Sequence, residues 1–182
     1  MSRVFAVDPG AERLGWAVLD GCKGDFKLVD SGILALPREK RKNGFDKDEE
    51  FQVYKLRLIN NTTIKVAGLF HRYLPTVLVS ETVPAVGGGS FIAATQSELA
   101  KTAITVFQAF AFSSGLLVFQ IGATTIKKRV AGAKDATKAK VRNGVIEVFP
   151  EVKESLTKET TGKKPVWDRS DGIATGIAHL TG

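Results

Sequence analysis

Short apolar runs and longer stretches with helical spacing follow one another along the chain in two blocks. Val4 to Val7, Leu14 to Leu19 and Phe26 to Leu34 are brief, partly β-branched or aromatic, and bounded by Gly, Asp or Pro. They predict three strands, and links this short predict an antiparallel meander. From Asp48 to Tyr73 the positions Phe51, Tyr54, Leu58, Ile59, Thr62, Val66, Leu69 and Phe70 recur at helical spacing, and Pro75 stops that helix. "TVLVSE" is a short buried strand that ends on Glu81, Ile92 to Phe112 a long apolar helix, and "GLLVFQI" another buried strand. "TTIKKRV" predicts a short basic helix or turn. Thr137 caps a helix that runs to about Phe149, and a last helix spans Trp167 to Leu180. The polar stretches 37–50 and 150–165 read as loop and irregular chain, the second with at most a turn of helix. "TVPAVGGGSF" reads as a glycine-rich loop.

Three strands and then alternating helix and strand imply right-handed crossovers, with parallel pairing added to the meander. The expected fold class is α/β: a mixed five-stranded sheet, antiparallel meander first and parallel strands after, flanked by helices. No repeat, low-complexity segment or clean boundary divides residues 1–182, so one domain is expected.

Composition narrows the function. No apolar stretch reaches the roughly 18 residues of a membrane span, and the amino terminus lacks the basic-then-apolar pattern of a secretion signal. The single cysteine, Cys22, excludes an internal disulfide and a multi-cysteine zinc site, and fits a reducing, intracellular and therefore cytoplasmic setting. Lys and Arg number 26 against 19 acids, a net charge of +7. That excess favours a polyanionic partner, because neutralising phosphates releases counterions; plain solubility is the other reading.

Against this basic background four acids stand at special places. Asp8 closes the first strand and Glu81 the fourth; if those strands are parallel neighbours, both emerge at the carboxyl edge, where sites form in such sheets. Asp168 and Asp171, in "WDRSDG", share one face of the last helix. Taken singly, Asp-Pro-Gly is turn chemistry, and acids at a helix start suit its dipole. Taken together, four converging carboxylates would repel unless divalent cations compensated them. Mg²⁺ suits such hard oxygen donors, and two ions about 3.5–4 Å apart can activate water and stabilise a leaving oxygen in phosphodiester cleavage.

"FAVDPGAERLGWAVLD", "VLVSE", "IKKRVAGAKDATKAKV" and "DRSDGIATGIAH" resemble, in this order and over residues 3–180, the RuvC family of Holliday-junction resolvases. The resemblance implies an RNase H-like fold and a homodimeric endonuclease that cuts four-way DNA junctions to leave 5′-phosphates. It implies Mg²⁺, or Mn²⁺ in its place, two ions per active site, held by Asp8, Glu81, Asp168 and Asp171. A broader nuclease for forks and D-loops, and a junction-binding protein without cleavage, are the alternatives. Where the family often carries an aromatic wedge this chain has Pro84, which makes Phe91 the replacement candidate. Arg169 and Ser170 stand where small residues are usual. These departures fit a divergent member, such as a phage-encoded one.

The run "IKKRVAGAKDATKAKVR" gathers Lys127, Lys128, Arg129, Lys134, Lys138, Lys140 and Arg142 beside a capped helix start, a place for phosphates. Lys127, Lys128, Lys134 and Lys138 are the candidate DNA-binding lysines, and by family position Lys127 and Lys138 would hold the scissile strand. The helix 92–112 carries Leu99, Ala103, Val106, Phe107 and Phe110 on one stripe. Ala94, Ala100 and Phe112 leave more apolar surface than one sheet would cover, which suits a two-fold interface. His71 and His179 are expected to be structural.

Overall fold

A computed structural model describes the chain except for residues 11, 37–47, 84–90 and 162–163. Strands β1 (Ser2–Asp8), β2 (Arg13–Cys22) and β3 (Asp25–Ala35) form the meander, followed by helix α1 (Asp48–Tyr73), β4 (Val77–Glu81), α2 (Phe91–Ser113) and β5 (Leu117–Ile121). Four more helices complete the chain: α3 (Ala123–Ala131), α4 (Lys138–Val148), α5 (Lys153–Lys158) and α6 (Asp168–Leu180). The sheet order is β3-β2-β1-β4-β5, antiparallel across β3, β2 and β1, and parallel from β1 through β4 to β5. This is the expected mixed sheet.

The two-residue period of β1 builds two cores. Val4 and Ala6 face one way, with Ala17, Leu19, Val77 and Val79, and pack on Ile126, Val141, Val145, Ile173, Ala174 and Ile177 of α3, α4 and α6. Phe5 and Val7 face the other way, with Leu14, Trp16 and Leu78, and pack on Leu58, Val66, Phe70, Leu99, Ala103 and Phe107 of α1 and α2. Phe5 anchors an aromatic cluster, its ring centroid 5.8 Å from that of Trp16 and 5.2 Å from that of Phe70. The α1 stripe falls as its spacing predicts, with Tyr54, Leu58, Thr62, Val66 and Phe70 buried. The Thr62 hydroxyl is buried there with no hydrogen-bond partner among the described residues. Thr62→Val should therefore stabilise the fold by about 1 kcal/mol. That is a rise of about 2–4 °C in the thermal midpoint at this chain length, and an unchanged or lower midpoint would contradict it.

Three elements depart from expectation. β5 is an exposed edge rather than a buried strand: among the described residues it pairs only with β4, and Leu117 and Phe119 are 62% and 43% exposed. A short apolar run does not reveal whether it will have a second neighbour. The stretch 150–165 is more ordered than its polarity suggests. It holds a 3-10 turn (Pro150–Val152), α5, and a two-stranded ribbon of β6 (Thr160–Thr161) and β7 (Lys164–Pro165), pinned by buried Val152 and Leu156. On α2, Ala100 is buried while Ala94 and Phe112 are exposed; α1 exposes Val53, Leu56 and Ile64. Most of the charged loop 37–50 and of the glycine-rich loop, Pro84 included, lies outside the described residues.

Candidate active site

β1 and β4 run parallel with Val7 opposite Ser80, so one further step puts Asp8 and Glu81 side by side at the carboxyl edge. Across the other neighbour, Asp8 pairs with Gly15 of β2. That glycine determines where α6 can lie. A Cβ at Gly15 would sit 1.6 Å from the Asp168 carbonyl oxygen, and one at Gly172 would sit 2.6 Å from the Gly15 carbonyl carbon. Helix and strand backbones touch because both positions lack side chains, and the first turn of α6 is thereby laid beside Asp8. Gly176 continues the contact over Leu19, whose Cδ1 would lie 2.3 Å from an added Cβ.

The acids of that first turn do not cap it: the N-cap is Trp167, and no side chain accepts from the helix start. Asp171 instead accepts from Lys138 Nζ at 2.6 Å, and Asp168 lies 3.2 Å from Arg13 Nε. Asp8, Glu81 and Asp171 line one cavity of about 70 Å³ with Lys127, Lys138 and the apolar floor of Ala123, Ile126, Val141 and Ala174. Asp168 is not on that lining, but its charge reaches Asp8. Neither histidine lines the cavity: His71 is exposed, and the His179 ring packs 5.0 Å from that of Phe119.

The crowding shows in the acidities. Burial, then the charges of Asp171 and Glu81, push the Asp8 carboxyl well above the usual carboxylate range, with Lys138 opposing. Burial and Asp171 raise Glu81, while a hydrogen bond with Asp8 and the nearby lysines pull it back. Burial also raises Asp171, against the opposing ion pair with Lys138. The acids likewise raise Lys138, overcoming the opposing effect of its burial, which is the largest single influence on it. The oxygen donors are of the type Mg²⁺ or Mn²⁺ takes. Among the described residues, however, no trio of His, Cys, Asp or Glu stands preassembled around a metal position. Lys138 holds the place of a cation against Asp171.

The rest of the basic run divides. Lys127 and Lys138 enter the acidic cavity, whereas Lys128 and Lys134 line a separate cup of about 480 Å³ with Thr124, Thr125 and Arg129. Arg129 Nη1 donates to the Ala178 carbonyl at 2.7 Å, so it ties down the end of α6. Arg142 is buried and donates to the Val166 carbonyl. Arg142 is thus withdrawn from the phosphate reading of the whole run, whereas Arg129 stays exposed on the cup. Phe91 is the first residue of α2, and its side chain lies outside the described residues.

No family model matches the chain. Among curated proteins it is similar to the crossover junction endodeoxyribonuclease RuvC of Lawsonia intracellularis, 27% identical over 183 residues, covering 100% of this chain and 91% of the relative. The corresponding protein of Xanthobacter autotrophicus is 28% identical over 178 residues, covering 97% of this chain and 88% of the relative. Over nearly its whole length the chain is similar to proteins of the RuvC family. Its fold matches that of Thermus thermophilus RuvC solved with a Holliday junction substrate, with TM-score 0.69 and 19% identity over 100% of this chain and 94% of that one. The yeast mitochondrial Holliday junction resolvase Ydc2 matches with TM-score 0.64 and 14% identity over 99% of this chain and 77% of that one. The sheet is thus the RNase H-like sheet of the RuvC fold, as the sequence motifs imply.

Sequence reasoning missed Gly15, Gly172 and Arg142 as site-building residues. Gly172 directly follows Asp171 in "SDGIATG", and Gly15 stands inside the strand run "RLGWAV", where a glycine is itself a sign of close backbone approach. Arg169 carries a similar role: its guanidinium donates to Ser31 Oγ at 2.9 Å and to Glu159 Oε1 at 3.2 Å, tying α6 to β3 and to the chain before the ribbon.

Proposed function

We propose that this protein is a Holliday-junction endonuclease that hydrolyses DNA phosphodiesters at the cavity between β1, β4 and α6. The single observation that carries the reading is the meeting of Asp8, Glu81 and Asp171 with Lys127 and Lys138 in one cavity. Asp8, Glu81, Asp168 and Asp171 would hold the metal, with Asp171 exchanging its lysine partner for the ion. Two Mg²⁺ ions, or Mn²⁺ in their place, would supply an activated water and neutralise charge on the leaving oxygen. Lys127, and Lys138 once released, hold the phosphates of the scissile strand; Lys128 and Lys134 contact backbone further along, positioning the duplex without reading bases. Phe91 is the candidate for opening the junction. The products carry 5′-phosphates.

A homodimer suits a substrate whose two strands must be cut symmetrically, and the exposed Val53, Leu56 and Ile64 of α1 and Phe112 of α2 offer apolar surface for it. Incubating the protein with labelled four-way junction, fork and linear duplex, with and without Mg²⁺, tests the reading. Metal-dependent paired nicks confined to the junction are expected. Equal cutting of forks would favour the broader branched-DNA nuclease, and binding without nicks would leave a junction-binding protein.

Lys138→Ala should weaken junction binding about tenfold and lower the slope of log affinity against log salt by about one. An unchanged slope in a filter-binding series would remove Lys138 from the phosphate contacts.

A further inference from the structure

Arg142 sits on α4 behind the acidic cavity, only 9% exposed, with its Nε buried and unpartnered. A buried guanidinium is costly unless it secures something. This one secures the entry to α6. Its Nη2 donates to the Val166 carbonyl at 2.8 Å, and its guanidinium carbon lies 4.0 Å from the centre of the Trp167 ring. Trp167 is in turn the backbone anchor for the acids that follow: its carbonyl accepts from the Asp171 N–H at 2.9 Å and from Ser170 Oγ at 2.7 Å. Fixing Trp167 therefore fixes the turn that carries Asp168 and Asp171.

We infer that Arg142 and Trp167 are positioning residues, an arginine–tryptophan stack that holds the α6 carboxylates in their metal-binding placement; this rests on the proposed nuclease reading. Neither Arg142 nor Trp167 is on the cavity lining, so the stack acts through the α6 acids that it holds. Outer-shell partners of metal ligands typically control affinity by 10–100-fold.

Titrating Mn²⁺ into the full-length protein by calorimetry, without DNA, tests this. Arg142→Gln and Trp167→Ala should each weaken Mn²⁺ binding about tenfold, and the double variant should be little weaker than either, because one stack is lost in all three. Trp167→Phe, which keeps a ring under the guanidinium, should bind nearly as wild type does. Leu58→Ala, in the opposite core layer, serves as a control for stability loss and should leave Mn²⁺ affinity unchanged. Unaltered affinity in Arg142→Gln or in Trp167→Ala would overturn the assignment, as would additive losses in the double variant or a loss in Leu58→Ala equal to theirs. If Arg142→Gln does not fold, Trp167→Ala and Trp167→Phe decide alone. A wild-type protein that takes no Mn²⁺ and cuts no junction would instead sink the nuclease reading itself.

Discussion

Asp8→Asn should reduce junction cleavage by more than about a thousandfold, leave junction binding within about twofold, and raise rather than lower the thermal midpoint. The three effects have one source. Asp8 is the acid on which the other three act, so the amide removes the carboxylate that most needs a cation and relieves a repulsion that folding otherwise imposes. Binding survives because Lys127, Lys128, Lys134 and Lys138 are untouched. The stability gain has a defined pH dependence. Asp8, Glu81 and Asp171 all titrate higher in the folded chain than when free, so the native state binds more protons than the unfolded one above the ordinary carboxylate range. Stability of the metal-free protein should then fall as pH rises from mildly acidic to neutral, the reverse of a protein held by salt-bridged acids. Asn at position 8 should flatten that slope. Thermal melts in chelator across that range, alongside gel assays of binding and cleavage, measure all three. Near-wild-type cleavage would remove Asp8 from the metal site, and a lower midpoint would show that its charge is not the source of strain.

The two strand-end acids were legible because each closes a short apolar run. The apolar runs "VFAV" and "VLVS" both marked buried strands, and the order of strand and helix predicted parallel pairing, which joins β1 to β4. The depth of α6 was not legible in the same way. It depends on Gly15 meeting Gly172, a contact between residues far apart in the chain that no local pattern encodes. Charge in a sequence also carries no direction: Arg142 reads as part of a basic stripe, yet it turns inward to a backbone carbonyl, while Lys127 and Lys138 face the acids. β5 misled for a related reason, since its apolar content matched that of β4 and only the missing neighbour exposes it.

Gly15→Ala should cut cleavage by about a hundredfold without removing any polar group. The new methyl would lie 1.6 Å from the Asp168 carbonyl oxygen, well inside any tolerable contact, and that neighbour is helix backbone with no rotamer to yield. Either α6 lifts from β2 or β2 bends away from β1, and each moves Asp168 and Asp171 relative to Asp8. A displacement of about 1 Å is enough to cost on the order of a hundredfold in rate, and the overpacking itself should cost about 1–3 kcal/mol. Gly68→Ala gives the opposite control. Nothing lies within 4 Å of a methyl there, and the site is inside α1, so alanine should stabilise by about 0.5–1 kcal/mol with cleavage unchanged. Comparing cleavage rates at saturating metal with melts of the same samples separates geometry from stability. Full activity in Gly15→Ala, with the melt lowered or not, would mean that α6 can stand off from the sheet and still present its acids, and the close-contact account of the site would fall.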